Sequence, residues 1–186
     1  MRIIGGNLKG QKIFFPQGNE TRPLRDLVKE SIFNIINNSN KFQIQIEKSI
    51  VLDLFSGTGS FGLECISRGA NKVTFIEQNK NALEILNKNL INLSINNQSL
   101  IIKGEIEKII LATKLKTFNV FFLDPPFADH KFVKILDIIK KKRMYKKKNI
   151  VIIHREKKSN EPLKEFIEIK LIKNYGRSKI IFGSFK

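Results

Sequence analysis

Apolar positions in this chain follow two spacings, and the alternation between them predicts its architecture. Short, largely apolar runs at residues 50–55, 73–76, 100–102, 120–124 and 150–153 read as strands covered on both faces. Between them, three- and four-residue steps predict helices. One helix starts at Thr21-Arg22-Pro23, with Leu24, Leu27, Val28, Ile32, Ile35 and Ile36 forming its apolar face. Another spans 61–67 and is stopped by Gly69. A third begins at Asn79, with Ala82, Ile85, Leu86, Leu90 and Leu93 inward, and a fourth covers 130–142 on Phe132, Val133, Leu136 and Ile139. Each end carries a hairpin pattern. Residues 2–4 and 12–15 flank a glycine-rich connection, and 166–172 and 179–182 flank Asn174-Tyr175-Gly176-Arg177. The predicted fold is therefore α/β: a mainly parallel central sheet, helices on both faces, a C-terminal antiparallel hairpin and an N-terminal β-hairpin extension. One domain, 1–186, is expected, comprising a basic hairpin (1–20), an N-terminal helix (21–40) and an α/β core (49–186).

The stretch from Val51 to Gly62 organises this reading. An apolar strand enters Ser56-Gly57-Thr58-Gly59-Ser60-Phe61-Gly62 and then a helix, the layout of a nucleoside-binding βα turn. Gly57 and Gly59 permit positive φ and a close approach to a ligand, while Gly62 lets the helix pack on the strand. Such a loop suits either a dinucleotide or S-adenosylmethionine. Asp53, four positions before Gly57, would repel a diphosphate but attract an ammonium or sulfonium. Glu77, twenty positions beyond Gly57, could accept ribose hydroxyls in either case. S-adenosyl-L-methionine is the favoured cofactor.

A second chemical signal is Asp124-Pro125-Pro126-Phe127 at the end of an apolar strand, on the sheet edge where α/β folds bind ligands. Two prolines remove two N–H donors, so the corner can only accept hydrogen bonds. Asp124 and the Pro125 carbonyl could hold the two hydrogens of a planar exocyclic amine, with its lone pair turned toward an electrophilic methyl. Phe127 could stack on the base.

Composition narrows the partner. The net charge is +17, from 34 Lys and Arg against 17 Asp and Glu, which suits a polyanion. Lys-rich, Asn-rich coding drift competes with that explanation, but the bunching of Lys140-Lys141-Lys142-Arg143 and Lys146-Lys147-Lys148 favours nucleic acid. A single cysteine, Cys65, predicts a reduced interior and a small buried side chain. With no apolar run long enough for a bilayer and no signal-peptide pattern, a cytoplasmic protein is expected. His130 and His154 read as surface or packing residues.

The sequence resembles the ribosomal small-subunit methyltransferase D family of bacteria. The likeness rests on Arg2-Ile3-Ile4-Gly5-Gly6 with Gly10, Thr21-Arg22-Pro23 with Asp26 and Glu30, Phe33-Asn34, Val51 to Gly62, Leu63-Glu64, Ser67-Arg68-Gly69-Ala70, Asn89-Leu90 and Asp124 to Phe127. This resemblance implies a Rossmann-like class I methyltransferase that modifies N2 of a guanine in 16S rRNA during small-subunit assembly. It implies cofactor contacts from Asp53, Phe55, Ser56, Gly57, Gly59, Glu77, Gln78, Glu105 and Asp124, and guanine contacts from Asp124, Pro125, Pro126 and Phe127. RNA contacts are implied for Arg2, Lys12, Arg22, Arg25 and Lys29, with a ribosomal particle as partner, a monomeric state and no metal. Leu24, Leu27, Lys29 and Glu105 depart from the family pattern. An amino-methyltransferase acting on DNA adenine or a protein glutamine, a non-enzymatic rRNA-binding assembly factor and a nicotinamide-dependent oxidoreductase are the rival readings.

Overall fold

A computed structural model describes residues 1–16, 26–113 and 117–186. Among these residues, seven strands form one sheet in the order β3-β2-β1-β4-β5-β7-β6. The strands are β1 (Ile50–Leu54), β2 (Lys72–Glu77), β3 (Ser99–Lys103), β4 (Phe118–Leu123), β5 (Tyr145–Glu156), β6 (Glu168–Tyr175) and β7 (Ser178–Ser184). β1 to β5 pair in parallel, while β7 runs antiparallel between β5 and β6. The predicted C-terminal hairpin thus closes one edge.

Successive residues along a strand face opposite sides, and the central strands are largely apolar on both because both are covered. Val51, Val73, Phe75, Val120, Phe122 and Ile152 face one core, together with α1 (Asp26–Asn38), α2 (Ser60–Ser67) and α3 (Lys80–Asn92). Leu52, Leu54, Ile76, Phe121, Leu123 and Ile153 face the other, under α4 (Ile106–Ala112) and α5 (Val133–Lys141). A stack of Phe33 on Phe61 (5.3 Å) and Phe61 on Phe122 (4.1 Å) runs from α1 through α2 to the sheet. Gly62 lies where a Cβ would come within 2.3 Å of Phe75, so only glycine allows α2 this close to β2.

Several expectations are corrected. α4 was not predicted, and β5 starts at Tyr145, five residues before the apolar run. Leu27, expected on the buried face of α1, is 72 % exposed; Phe33 fills that face instead. The predicted start of α1 at Thr21-Arg22-Pro23, with Arg22, Leu24 and Arg25, lies outside the described residues. The N-terminal hairpin is reduced to one antiparallel bridge, Arg2 with Lys12, supported by Ile3 N–H to Gln11 O and Ile13 N–H to Met1 O.

That short hairpin is stabilised by docking rather than by its own ladder. Asn7 N–H donates to Ser67 O (2.7 Å), Leu8 N–H to Ser67 Oγ (3.0 Å), and Ile4 N–H to buried Glu64 (2.9 Å). The first of these satisfies the last carbonyl of α2. The backbone approach is close enough that a Cβ on Gly6 would meet Ser67 O at 1.8 Å. On the second arm, fully buried Asn89 accepts from Phe14 N–H (2.6 Å) and donates to Phe14 O and Thr58 O (3.1 Å each).

Candidate active site

At the carboxyl edge of β1, β2 and β4 lies a cavity of about 430 Å³. β1 delivers Asp53 and then Phe55, a non-glycine residue held at φ +57°, a sparsely populated conformation of the kind that clusters at ligand sites. Ser56, Gly57, Thr58, Ser60 and Phe61 follow from the glycine loop, Glu77, Gln78 and Asn79 from the end of β2, and Asp124, Pro125, Pro126 and Phe127 from the end of β4. Phe15 of the N-terminal arm and His154 of β5 complete the rim.

Gly57 has φ +53°, and a Cβ there would meet nothing within 4 Å, leaving its backbone open toward a ligand. Gly59 takes the positive φ expected of it but does not open toward a ligand. At φ +85° it turns inward, where a Cβ would collide with Leu86 at 2.4 Å, and it is not part of the cavity wall.

The cavity is acidic inside a strongly basic protein. Among the described residues its walls carry Asp53, Glu77 and Asp124 and no Lys or Arg. Asp53 is 1 % exposed; its Oδ2 accepts from Gly62 N–H at 3.0 Å, and its Oδ1 has no hydrogen-bond partner among the described residues. Burial pushes its carboxyl well above the ordinary range, Asp124 and Glu77 raise it further, and only the Gly62 bond opposes them. Ser56 Oγ is also buried and unpartnered. Glu77 is anchored by Gly57 N–H (2.7 Å) and by Gln78 and Asn79 N–H (2.8 Å each). Two unpaired acceptors and three carboxylates around one space fit a cation with hydroxyl donors, such as S-adenosylmethionine; a diphosphate would be repelled. Among the described residues, no cluster of three or more His, Cys, Asp or Glu is arranged to hold a metal ion.

β5 holds the reacting corner together through two residues that sequence reasoning passed over. His154, expected at the surface or in packing, places Nδ1 2.9 Å from Asp124 Oδ1 and its ring edge-to-face on Phe127 at 5.7 Å. Arg155 is fully buried. Its guanidinium donates to the carbonyls of Pro126 and Phe127 (3.0 Å each), reaches that of Pro125 at 3.5 Å, and pairs with Glu161 at 2.5 Å. The Pro125 carbonyl, expected to accept one of the two amine hydrogens beside Asp124, also lies within reach of Arg155. Burial would raise Glu161, but its hydrogen bonds and Arg155 outweigh that and hold it below its usual value.

Other predicted site residues stand elsewhere. Glu105 precedes α4, half exposed, and pairs with Lys108 at 2.8 Å; it does not line the cavity. Lys29, expected to meet RNA, is fully buried, donating to Arg2 O at 3.0 Å and lying 3.6 Å from Glu64, so it is a core cation. Burial lowers its ammonium despite Glu64 and Asp26. Arg2 and Lys12 are exposed on the N-terminal arm. Lys140, Lys141 and Lys142 are engaged locally, with Glu165 O, Asp137 and the carbonyls ending α4. Residues 140–148 lie before and at the start of β5, on the amino edge of the sheet, opposite the cavity.

A family model described as conserved hypothetical protein 95 matches residues 1–184. The chain is 34% identical to ribosomal RNA small subunit methyltransferase D of Buchnera aphidicola subsp. Baizongia pistaciae, over 87% of this chain and 79% of that protein. The protein of that name from Haemophilus influenzae is 31% identical over 84% of this chain and 79% of its own length. Among solved structures, yhhF from Escherichia coli superposes with a TM-score of 0.83 at 26% identity, covering 100% of this chain and 98% of its own. The fold is thus a Rossmann-like class I methyltransferase fold. Matched along almost its whole length, the chain belongs to the ribosomal RNA small subunit methyltransferase D family.

Proposed function

We propose that this protein transfers a methyl group from S-adenosylmethionine to the exocyclic N2 of a guanine in 16S rRNA, within a small-subunit particle. The observation that carries the reading is that two carboxylates from adjacent strands line one acidic cavity. Asp53 there has an unpaired buried oxygen, and Asp124 stands on a rigid two-proline turn. Asp53, Ser56 and Glu77 would hold the cofactor through its cationic and hydroxyl groups. When bound, the cofactor supplies an electrophilic methyl on a sulfonium. Asp124 accepts a hydrogen of the amine, which orients the nitrogen lone pair and stabilises the positive charge that grows there. Arg155 and the prolines fix the turn, so this acceptor costs little reorganisation during reaction. Phe127 offers an aromatic surface to an unstacked base. Arg2 and Lys12, exposed beside the cavity arm, suit phosphate contacts, and Phe15 brings that arm to the rim. The ribosomal RNA in the relatives' names supports the substrate class.

Nucleoside mass spectrometry of rRNA from cells lacking the protein, with and without its return, tests this directly. Loss and recovery of N2-methylguanine is expected. With purified protein, Asp124→Ala should abolish transfer while cofactor affinity stays within about threefold. A protein that binds rRNA but no S-adenosylmethionine would be an assembly factor instead.

A further inference from the structure

Asp124 has two carboxylate oxygens but must present one of them to the amine, so the rotation of its side chain has to be set by something. β4 and β5 pair in parallel up to Leu123 with Ile153, which brings the next residues, Asp124 and His154, side by side. Nδ1 of His154 lies 2.9 Å from Oδ1 of Asp124. Its ring is 11 % exposed and packed against Phe127. The residue across from it on β7 is apolar Ile180. Arg155, its neighbour on β5, is committed to Glu161 and the loop carbonyls. Asp124 is thus the hydrogen-bond partner of Nδ1 among the described residues. With the carboxyl oxygen accepting, the ring carries its hydrogen on Nδ1.

We propose that His154 is a positioning residue for methyl transfer. Its Nδ1–H pins Asp124 Oδ1, leaving Oδ2 as the acceptor for the amine hydrogen. The inference rests on the amino-methyltransferase reading above. Without the pin, the carboxylate rotates and the nitrogen loses its aim, and misplacement of this size costs up to about a hundredfold in rate.

The test uses the full-length protein, radiolabelled S-adenosylmethionine and small-subunit particles from cells lacking it. His154→Leu should lower kcat about ten- to a hundredfold, with KM for the cofactor within about twofold. His154→Asn places an amide nitrogen where Nδ1 stood and should keep kcat within about threefold of wild type. Nitrogen NMR of the imidazole gives a readout independent of turnover: the Nδ1–H tautomer in wild type, and its loss in Asp124→Ala. Wild-type kcat in a folded His154→Leu protein would overturn the proposal, and so would a His154→Asn protein as slow as His154→Leu. Should His154→Leu fail to fold, the Asn variant and the tautomer decide. A wild-type enzyme inert on guanine would sink the functional reading instead, while the tautomer measurement would still judge the His154–Asp124 contact.

Discussion

At Asp53 the fold keeps an acid in a place that favours its neutral form. Its carboxyl is raised in the folded state by burial, then by Asp124 and Glu77, so the native protein binds that proton more tightly than the unfolded chain does. The resulting stability is fully present below the ordinary carboxylate range and is lost as pH rises through the raised folded value. A cation in the cavity offsets the cost, so cofactor affinity should increase over that same rise. Asp53→Asn removes the charge but keeps an oxygen for Gly62 N–H. The expected outcome is a melting temperature about 2–4 °C higher, equivalent to roughly 1 kcal/mol, in the cofactor-free protein. Calorimetry should show cofactor affinity falling at least about tenfold, about 1.4 kcal/mol; unchanged affinity would place the cationic groups elsewhere. Arg155 is the opposite case, a charge whose removal strands Glu161, 4 % exposed, without its main partner. Arg155→Met should cost about 3–5 kcal/mol in denaturant unfolding. Neither Arg155 nor His154 was legible from sequence. In a strand buried on both faces the apolar run hides which way each residue points, and their partners at Asp124 and Pro126 lie about 30 positions away.

Among the elements, the N-terminal arm depends most on its neighbours. Gly5 and Gly6, read from sequence as turn residues, are explained by contact with α2: at Gly6 both the positive φ and the approach to Ser67 O exclude a side chain. Gly6→Ala should release the arm, seen as faster proteolysis within residues 1–16, with the core fold retained. Asn89→Ala should destabilise by about 1–3 kcal/mol, because it strands the backbone of Phe14 and the carbonyl of Thr58. It should also weaken cofactor binding, since Asn89 links the arm to the glycine loop. Elements with a strong local signal were legible: β1 with its glycine loop, the Asn79 cap of α3, and the Gly176 turn between β6 and β7. α4, with two buried residues in seven, was not, because so short an element is set by packing and by Lys142 on its terminal carbonyls. Leu27 was misplaced because helical spacing left two neighbouring faces open and Phe33 won the inner one.

Across the whole molecule, charge and chemistry are separated. The acidic cavity opens at the carboxyl edge of the sheet, while Lys146, Lys147 and Lys148 start β5 at the other. RNA held at the cavity by the N-terminal arm should therefore draw little from that triplet. Exchanging Arg2 and Lys12 for Gln should lower the slope of log affinity against log salt by about 1–2, while exchanging the three lysines should change it by less than about 1. A large effect of the triplet would mean that RNA wraps around the sheet. The net charge of +17 was plain from composition, but its placement required the strand order. One further consequence concerns the order of synthesis. Residues 1–16 are translated well before their partners: Phe14 is held by a side chain 75 positions later and Ile4 by one 60 positions later. The first arm of this segment can dock once α2 has emerged from the translating ribosome, but the second, which brings Phe15 to the rim, must wait for Asn89 of α3, so the cavity wall is completed late in folding.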